Sequence, residues 1–156
     1  MRISLQSAKM QDCTQIHRMQ VKSFMKLLHK YKDYDTNPAA ETVEKIEQRM
    51  LQDFTDYYFI CLNNEKIGVI RVVRVTDNTC RISPIFIEPK YQGKGYATKV
   101  MIKVEGYYPN VQNWELDTIK QEERLCLFYE KMGYKITGKE KSIKEGMTII
   151  DYAKRF

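Results

Sequence analysis

The stretch PKYQGKGYATKVM, Pro89–Met101, sets a glycine-containing turn against the start of a helix-like apolar pattern. Ala97, Val100, Met101 and Val104 recur at the i, i+3, i+4, i+7 spacing of an amphipathic helix, which Pro109 stops. Upstream, Ile85-Phe86-Ile87-Glu88 reads as a strand. A strand, a glycine turn and a helix in that order place unpaired backbone N–H groups at the positive end of a helix dipole, where phosphate oxygens bind. Gly93 and Gly95 keep side chains out of the way of such oxygens, and Lys94 adds positive charge.

Outward from this unit the chain alternates between the two regular periods. RISLQSA alternates as a first strand, and Asp12 with Gln15 three residues later forms a capping-box pattern at the head of a long helix. That helix carries Ile16, Met19, Phe24, Leu27, Leu28 and Tyr31 at mostly helical spacing. Asn37 as N-cap and Pro38 as first helical residue open a second helix that buries Val43, Ile46 and Met50. The strands DYYFICLN, KIGVIRVVRV and TCRISPIFIE follow, joined by turns at Asn63-Asn64 and Asp77-Asn78 that favour antiparallel hairpins. Pro84 inside the last of these marks an edge or a bulge, because proline cannot donate to a ladder. VQNWELDTI is a strand, and QEERLCLFYEKMGY is a helix with acids in its first turn and Gly133 at its C-terminal cap. YKITGKEKSI and MTIIDYAKRF are the last two strands, flanking a turn at Glu145-Gly146. The fold class is α/β (α+β): a mixed, mostly antiparallel sheet of about seven strands flanked by four helices, in the order β-α-α-β-β-β-α-β-α-β-β.

The 156 residues, 43% hydrophobic and 29% charged, suit one domain over residues 1–156. Nothing approaches the ~18 apolar residues of a membrane span, and the N-terminus lacks a signal-peptide pattern, so a cytoplasmic protein without membrane partners is expected. The net charge of +6 admits an anionic partner, but the lysines are scattered among acids and no nucleic-acid motif is present. Cys13, Cys61, Cys80 and Cys126 are unpaired in spacing and read as free thiols, and His17 and His29 belong to no metal motif. A P-loop is excluded, since no Gly-Lys precedes Ser or Thr. A dinucleotide fingerprint fails at Thr98 and comes too late in the strand order, although Glu115 and Asp117 stand where a ribose-binding acid belongs.

Gln92-Gly93-Lys94-Gly95-Tyr96-Ala97 resembles the [RQ]-x-x-G-x-[GA] signature of the GNAT superfamily of acetyl-CoA-dependent N-acetyltransferases. The preceding strand, the following helix, the LFYEKMGY stretch at Leu127–Tyr134 and the element order resemble that family over nearly the whole chain. The resemblance implies acetyl-CoA as co-substrate, with no metal. It implies a cofactor site at Ile85, Ile87, Gln92, Gly93, Lys94, Gly95, Tyr96, Ala97 and Lys131, in which the Ile87 amide meets the thioester carbonyl. Tyr129 matches the tyrosine that protonates the departing thiolate, although its place in the stripe Leu125, Phe128, Tyr129, Met132 is also that of a core residue. Where many relatives carry Asn seven residues earlier, this chain has Glu122.

Some relatives place a general base where this chain has Arg81 or Ser83, neither of which suits the task; Glu88, Glu115 and Asp117 are the remaining carboxylates, with Glu88 and Asp117 the base candidates. Alternation sets Glu115 and Asp117 on one face of their strand and Trp114, Leu116 and Thr118 on the other. The acceptor side would be lined by His29, Tyr31, Tyr34 and Asp35, a mixture of charges that fits more than one kind of amine. Direct acetyl transfer to a primary amine of a small molecule or peptide is the expected activity, by a monomer or homodimer. A non-catalytic acyl-CoA sensor of the same fold is the alternative.

Overall fold

The computed structural model describes residues 2–156; Met1, which the single-domain reading includes, lies outside the described residues. Asn63 and Asn64 both take positive φ angles, 50° and 73°, the pair of left-handed residues that matches a two-residue turn to strand twist. They close β2 (Thr55–Leu62) onto β3 (Glu65–Thr76). Asp77 and Asn78 then turn β3 into β4 (Thr79–Ile87). β1 (Ile3–Ser7) pairs along the free side of β2, and β5 (Asn113–Ile119), β6 (Lys135–Lys144) and β7 (Met147–Arg155) complete the sheet. The order is β1-β2-β3-β4-β5-β7-β6. Neighbours are antiparallel except β4 and β5, which the crossover helix between them makes parallel. The architecture is thus the mixed, seven-stranded, four-helix fold that the residue patterns predict.

Two helices cover each face. α1 (Cys13–Tyr31) and α2 (Val43–Met50) bury Ile16, Met19 and Ile46 against Tyr57, Phe59, Val69 and Phe86. α3 (Tyr96–Tyr107) and α4 (Glu123–Lys131) bury Val100, Met101, Val104 and Tyr129 against Ile60, Ile70, Ile87, Trp114 and Leu116. The period of two along each strand divides these clusters, so Trp114 and Leu116 are buried under α3 and α4 while Glu115 and Asp117 face the α1 side. α2 has only eight residues, too few to be stable alone. Its fully buried Ile46 holds it to the sheet, a burial that contributes about 1.5–3 kcal/mol.

Two helix starts differ from the sequence reading. Asp12 does not cap α1 through Gln15. It ends a 3-10 turn, Met10–Asp12, and its carboxylate accepts the Lys9 N–H at 2.8 Å. The chain leaves β1 through an Ala8 N–H to Tyr57 C=O bond and needs that turn to redirect it. Asn37 does act as a cap, accepting the Ala39 N–H at 2.7 Å, but the turn it opens is another 3-10 segment, Pro38–Ala40. Glu41 and Thr42 return to extended backbone, and the Thr42 hydroxyl caps α2 by accepting the Lys45 N–H.

Candidate active site

Gly93 and Gly95 adopt φ angles of +76° and +80°, a conformation that L side chains resist by roughly 1–2 kcal/mol. A Cβ built on either would meet nothing within 4 Å, so the space before this turn is open. Gly95 precedes Tyr96, the first residue of α3, whose first-turn N–H groups have no partner within the helix. Tyr96 is buried and anchors the helix start; Ala97 packs beside it, and Lys94 is exposed. The Gln92 amide donates to the Ile87 carbonyl at 2.7 Å, tying the turn to the end of β4. Gly93 through Ala97 therefore run as one continuous turn into the first residues of α3.

The edge of β4 leading to this turn is free. β4 pairs with β5 only at Thr79–Arg81 against Asn113–Glu115. The ladder to β3 shifts register around Ser83-Pro84, between the pairs Val72↔Ile82 and Ile70↔Ile85, as the proline predicted. Beyond that bulge the Glu88 N–H bonds to Ile67 C=O, and Gly68 stands opposite Ile87. Antiparallel alternation then turns the N–H groups of Ile85 and Ile87 away from β3, toward the side that β5 has left. The close seat of β3 on this segment needs Gly68, where a Cβ would lie 2.2 Å from the Phe86 carbonyl oxygen. Arg71, 8% exposed, donates to the Ser83 carbonyl at 2.8 Å and so supports the bulge. Burial pushes its guanidinium below its ordinary value.

Behind the opening, Tyr129 on α4 belongs to the same core cluster as Ile87 and Tyr96. Its ring packs edge-on to Phe128 and Tyr134, with centroids at 5.1 and 6.1 Å. It is 8% exposed, and its hydroxyl has no hydrogen-bond partner among the described residues. Burial first, then the charge of Asp117 and the thiol of Cys126, push the phenol well above its ordinary value. Tyr129 is thus a core residue whose phenol is held protonated. Lys131, two residues on, is exposed at the end of α4.

On the α1 face, Arg81 holds three carboxylates: Asp117 at 2.6 Å, Asp151 at 3.5 Å and Glu115 at 3.6 Å. The carboxylate neighbours outweigh burial and raise the guanidinium. Glu88, the residue after β4, pairs with Lys22 of α1 at 3.7 Å. Glu88 and Asp117 are both engaged in ion pairs. His29, Tyr34 and Asp35 are exposed near the end of α1, while Tyr31 is half-buried. Its hydroxyl and the Lys30 ammonium both reach Glu122, at 2.5 and 2.6 Å. The roles of Arg71, Asp151 and Glu122 were not legible in the sequence, because each arises from a contact between distant elements.

The described residues contain no group of three or more His, Cys, Asp or Glu able to hold a metal, and no helix among them is long and apolar enough to cross a membrane. No curated protein matches the sequence. Solved structures do match the fold. An acetyltransferase from Thermus thermophilus is 13% identical with a TM-score of 0.77, covering 100% of this chain and 98% of its own. The PaiA N-acetyltransferase from Thermoplasma acidophilum, in complex with coenzyme A, is 14% identical with a TM-score of 0.79 and full coverage of both chains. A spermidine N-acetyltransferase from Vibrio cholerae, in complex with CoA and spermine, is 16% identical with a TM-score of 0.75, covering 97% of this chain and 94% of its own. The acetyltransferase (GNAT) family model matches residues 16–134, which include the open β4 edge, the glycine turn and Tyr129. The chain therefore belongs to the GNAT acetyltransferase family.

Proposed function

We propose that the protein transfers acetyl from acetyl-CoA directly to a primary amine, with both substrates bound at once. The observation that carries this reading is the free edge of β4 at Ile85 and Ile87, running into an open glycine turn at the head of α3. A pantetheine arm is a chain of amides and suits an unpaired strand edge; a pyrophosphate suits the N–H groups of Gly93–Ala97. Bound acetyl-CoA supplies a thioester, whose acetyl carbon forms the new C–N bond while its sulfur leaves.

The chain's own residues perform the rest. The Ile87 N–H donates to the thioester oxygen, where negative charge develops, and one such donor is worth about 3 kcal/mol. The Tyr129 hydroxyl, without a partner and held protonated, gives its proton to the departing sulfur. The amine approaches from the α1 face, where Glu115, Asp117 and Asp151 outnumber Arg81. That surplus of negative charge favours a cationic acceptor. Glu88 or Asp117 receives the amine proton, directly or through water. The Vibrio cholerae spermidine enzyme, whose fold is similar, puts polyamines on the first substrate panel.

The test is release of free thiol from acetyl-CoA in the presence of spermidine, an amino sugar, a peptide with a free α-amine and a lysine peptide. At least one amine should raise thiol release well above hydrolysis, with polycations ahead of neutral-bodied amines. A flat panel with intact CoA binding would reject the enzyme reading in favour of an acyl-CoA sensor.

A further inference from the structure

Helices on opposite faces of the sheet meet at one carboxylate. Oε2 of Glu122, at the head of α4, accepts from Lys30 Nζ at 2.6 Å and from Tyr31 Oη at 2.5 Å. Lys30 and Tyr31 are the last two residues of α1. α1 packs with Phe86 on one side of the sheet and α4 with Trp114 on the other. Glu122 also lies just three residues past the end of β5. The contact therefore passes the end of the sheet where β4 and β5 have separated. At the middle of α1, Lys22 pairs with Glu88, the residue after β4. Tyr31 stands nine residues beyond Lys22, about 14 Å along the helix. The second half of α1 is thus tied at Lys22 to the residue that follows β4 and at its last two residues to the head of α4.

We propose that Glu122 is a positioning residue, clasping the end of α1 across the mouth between β4 and β5 and so fixing the acceptor-side wall. That wall is the last turn of α1 and the loop that follows it, residues 32–37. The inference rests on the transferase reading for what the wall does. The Glu122 carboxylate is committed to α1. Both bonds are charge-assisted, and such bonds are roughly twice as strong as neutral ones. Burial alone would raise the carboxyl, but the hydrogen bonds from Lys30 and Tyr31 prevail and hold it below its ordinary range. Glu122 is ionised, and the clasp closed, at neutral pH. A glutamine at 122 keeps the shape and one acceptor but loses the charge that both donors share.

The variants are Glu122→Gln, Tyr31→Phe and the double substitution, each examined by hydrogen exchange, by calorimetric titration with CoA and by kinetics with spermidine. Exchange over residues 25–37 should quicken about tenfold in each single variant, with the double variant no faster than either. CoA affinity should stay within about twofold, and the KM for spermidine should rise about fivefold with little change in kcat. Unchanged exchange would overturn the clasp, and weakened CoA binding with unchanged exchange would place Glu122 on the cofactor side instead. If spermidine is no substrate, exchange and CoA affinity decide alone, since neither needs an acceptor.

Discussion

Gly95→Glu abolishes CoA binding, with affinity falling at least ~100-fold, about 2.7 kcal/mol or more. Three effects act together. Gly95 sits at φ +80°, where a side chain strains the backbone by roughly 1–2 kcal/mol. The new side chain projects into the open space that phosphate oxygens are expected to fill. Its carboxylate also places negative charge against a dianionic pyrophosphate at the head of α3. The fold should survive, because no protein atom lies within 4 Å of the added Cβ. Calorimetry with CoA, alongside a thermal melt, separates the two outcomes. A folded variant that still binds CoA as tightly as the native protein would remove the glycine turn from the cofactor site.

Tyr129→Phe lowers kcat about 100-fold while leaving CoA affinity within about twofold. The substitution removes one hydroxyl that has no partner among the described residues and keeps the ring packed on Phe128 and Tyr134. Stability should therefore hardly change. The raised phenol also predicts a pH profile. The rate should climb as the amine loses its proton and should not turn down near pH ~10, where an exposed tyrosine ionises. Steady-state kinetics over pH ~6 to ~10.5, a range that brackets that ordinary value, checks both statements. Native turnover in the phenylalanine variant would return Tyr129 to a purely structural role.

The glycine turn was legible because its constraints are local. Positive φ at Gly93 and Gly95 and the apolar spacing of α3 are written within a dozen residues. Period-two alternation likewise placed Glu115 and Asp117 opposite Trp114 and Leu116, since each strand carries its own face assignment. The helix starts were less legible. Asp12 and Asn37 are genuine capping residues, but each serves a short 3-10 turn that the chain needs in order to change direction. Tertiary contacts were not legible at all. Arg71 supports a bulge twelve residues away on another strand, and Glu122 holds a tyrosine ninety-one residues earlier. The acceptor-face charge was half visible: Glu115 and Asp117 were evident, but Asp151 joins them only because β7 lies beside β5, in register with Asp117.

The free edge of β4 and the glycine turn are held to form one CoA site, and following backbone amide resonances during a CoA titration tests this most directly. The largest shifts are expected at Ile85, Ile87 and Gly93 through Ala97, with little change around the separate cleft of about 580 Å³ lined by Phe54, Arg74, Tyr107 and Val111. Shifts centred on that cleft, with the β4 edge unmoved, would contradict it.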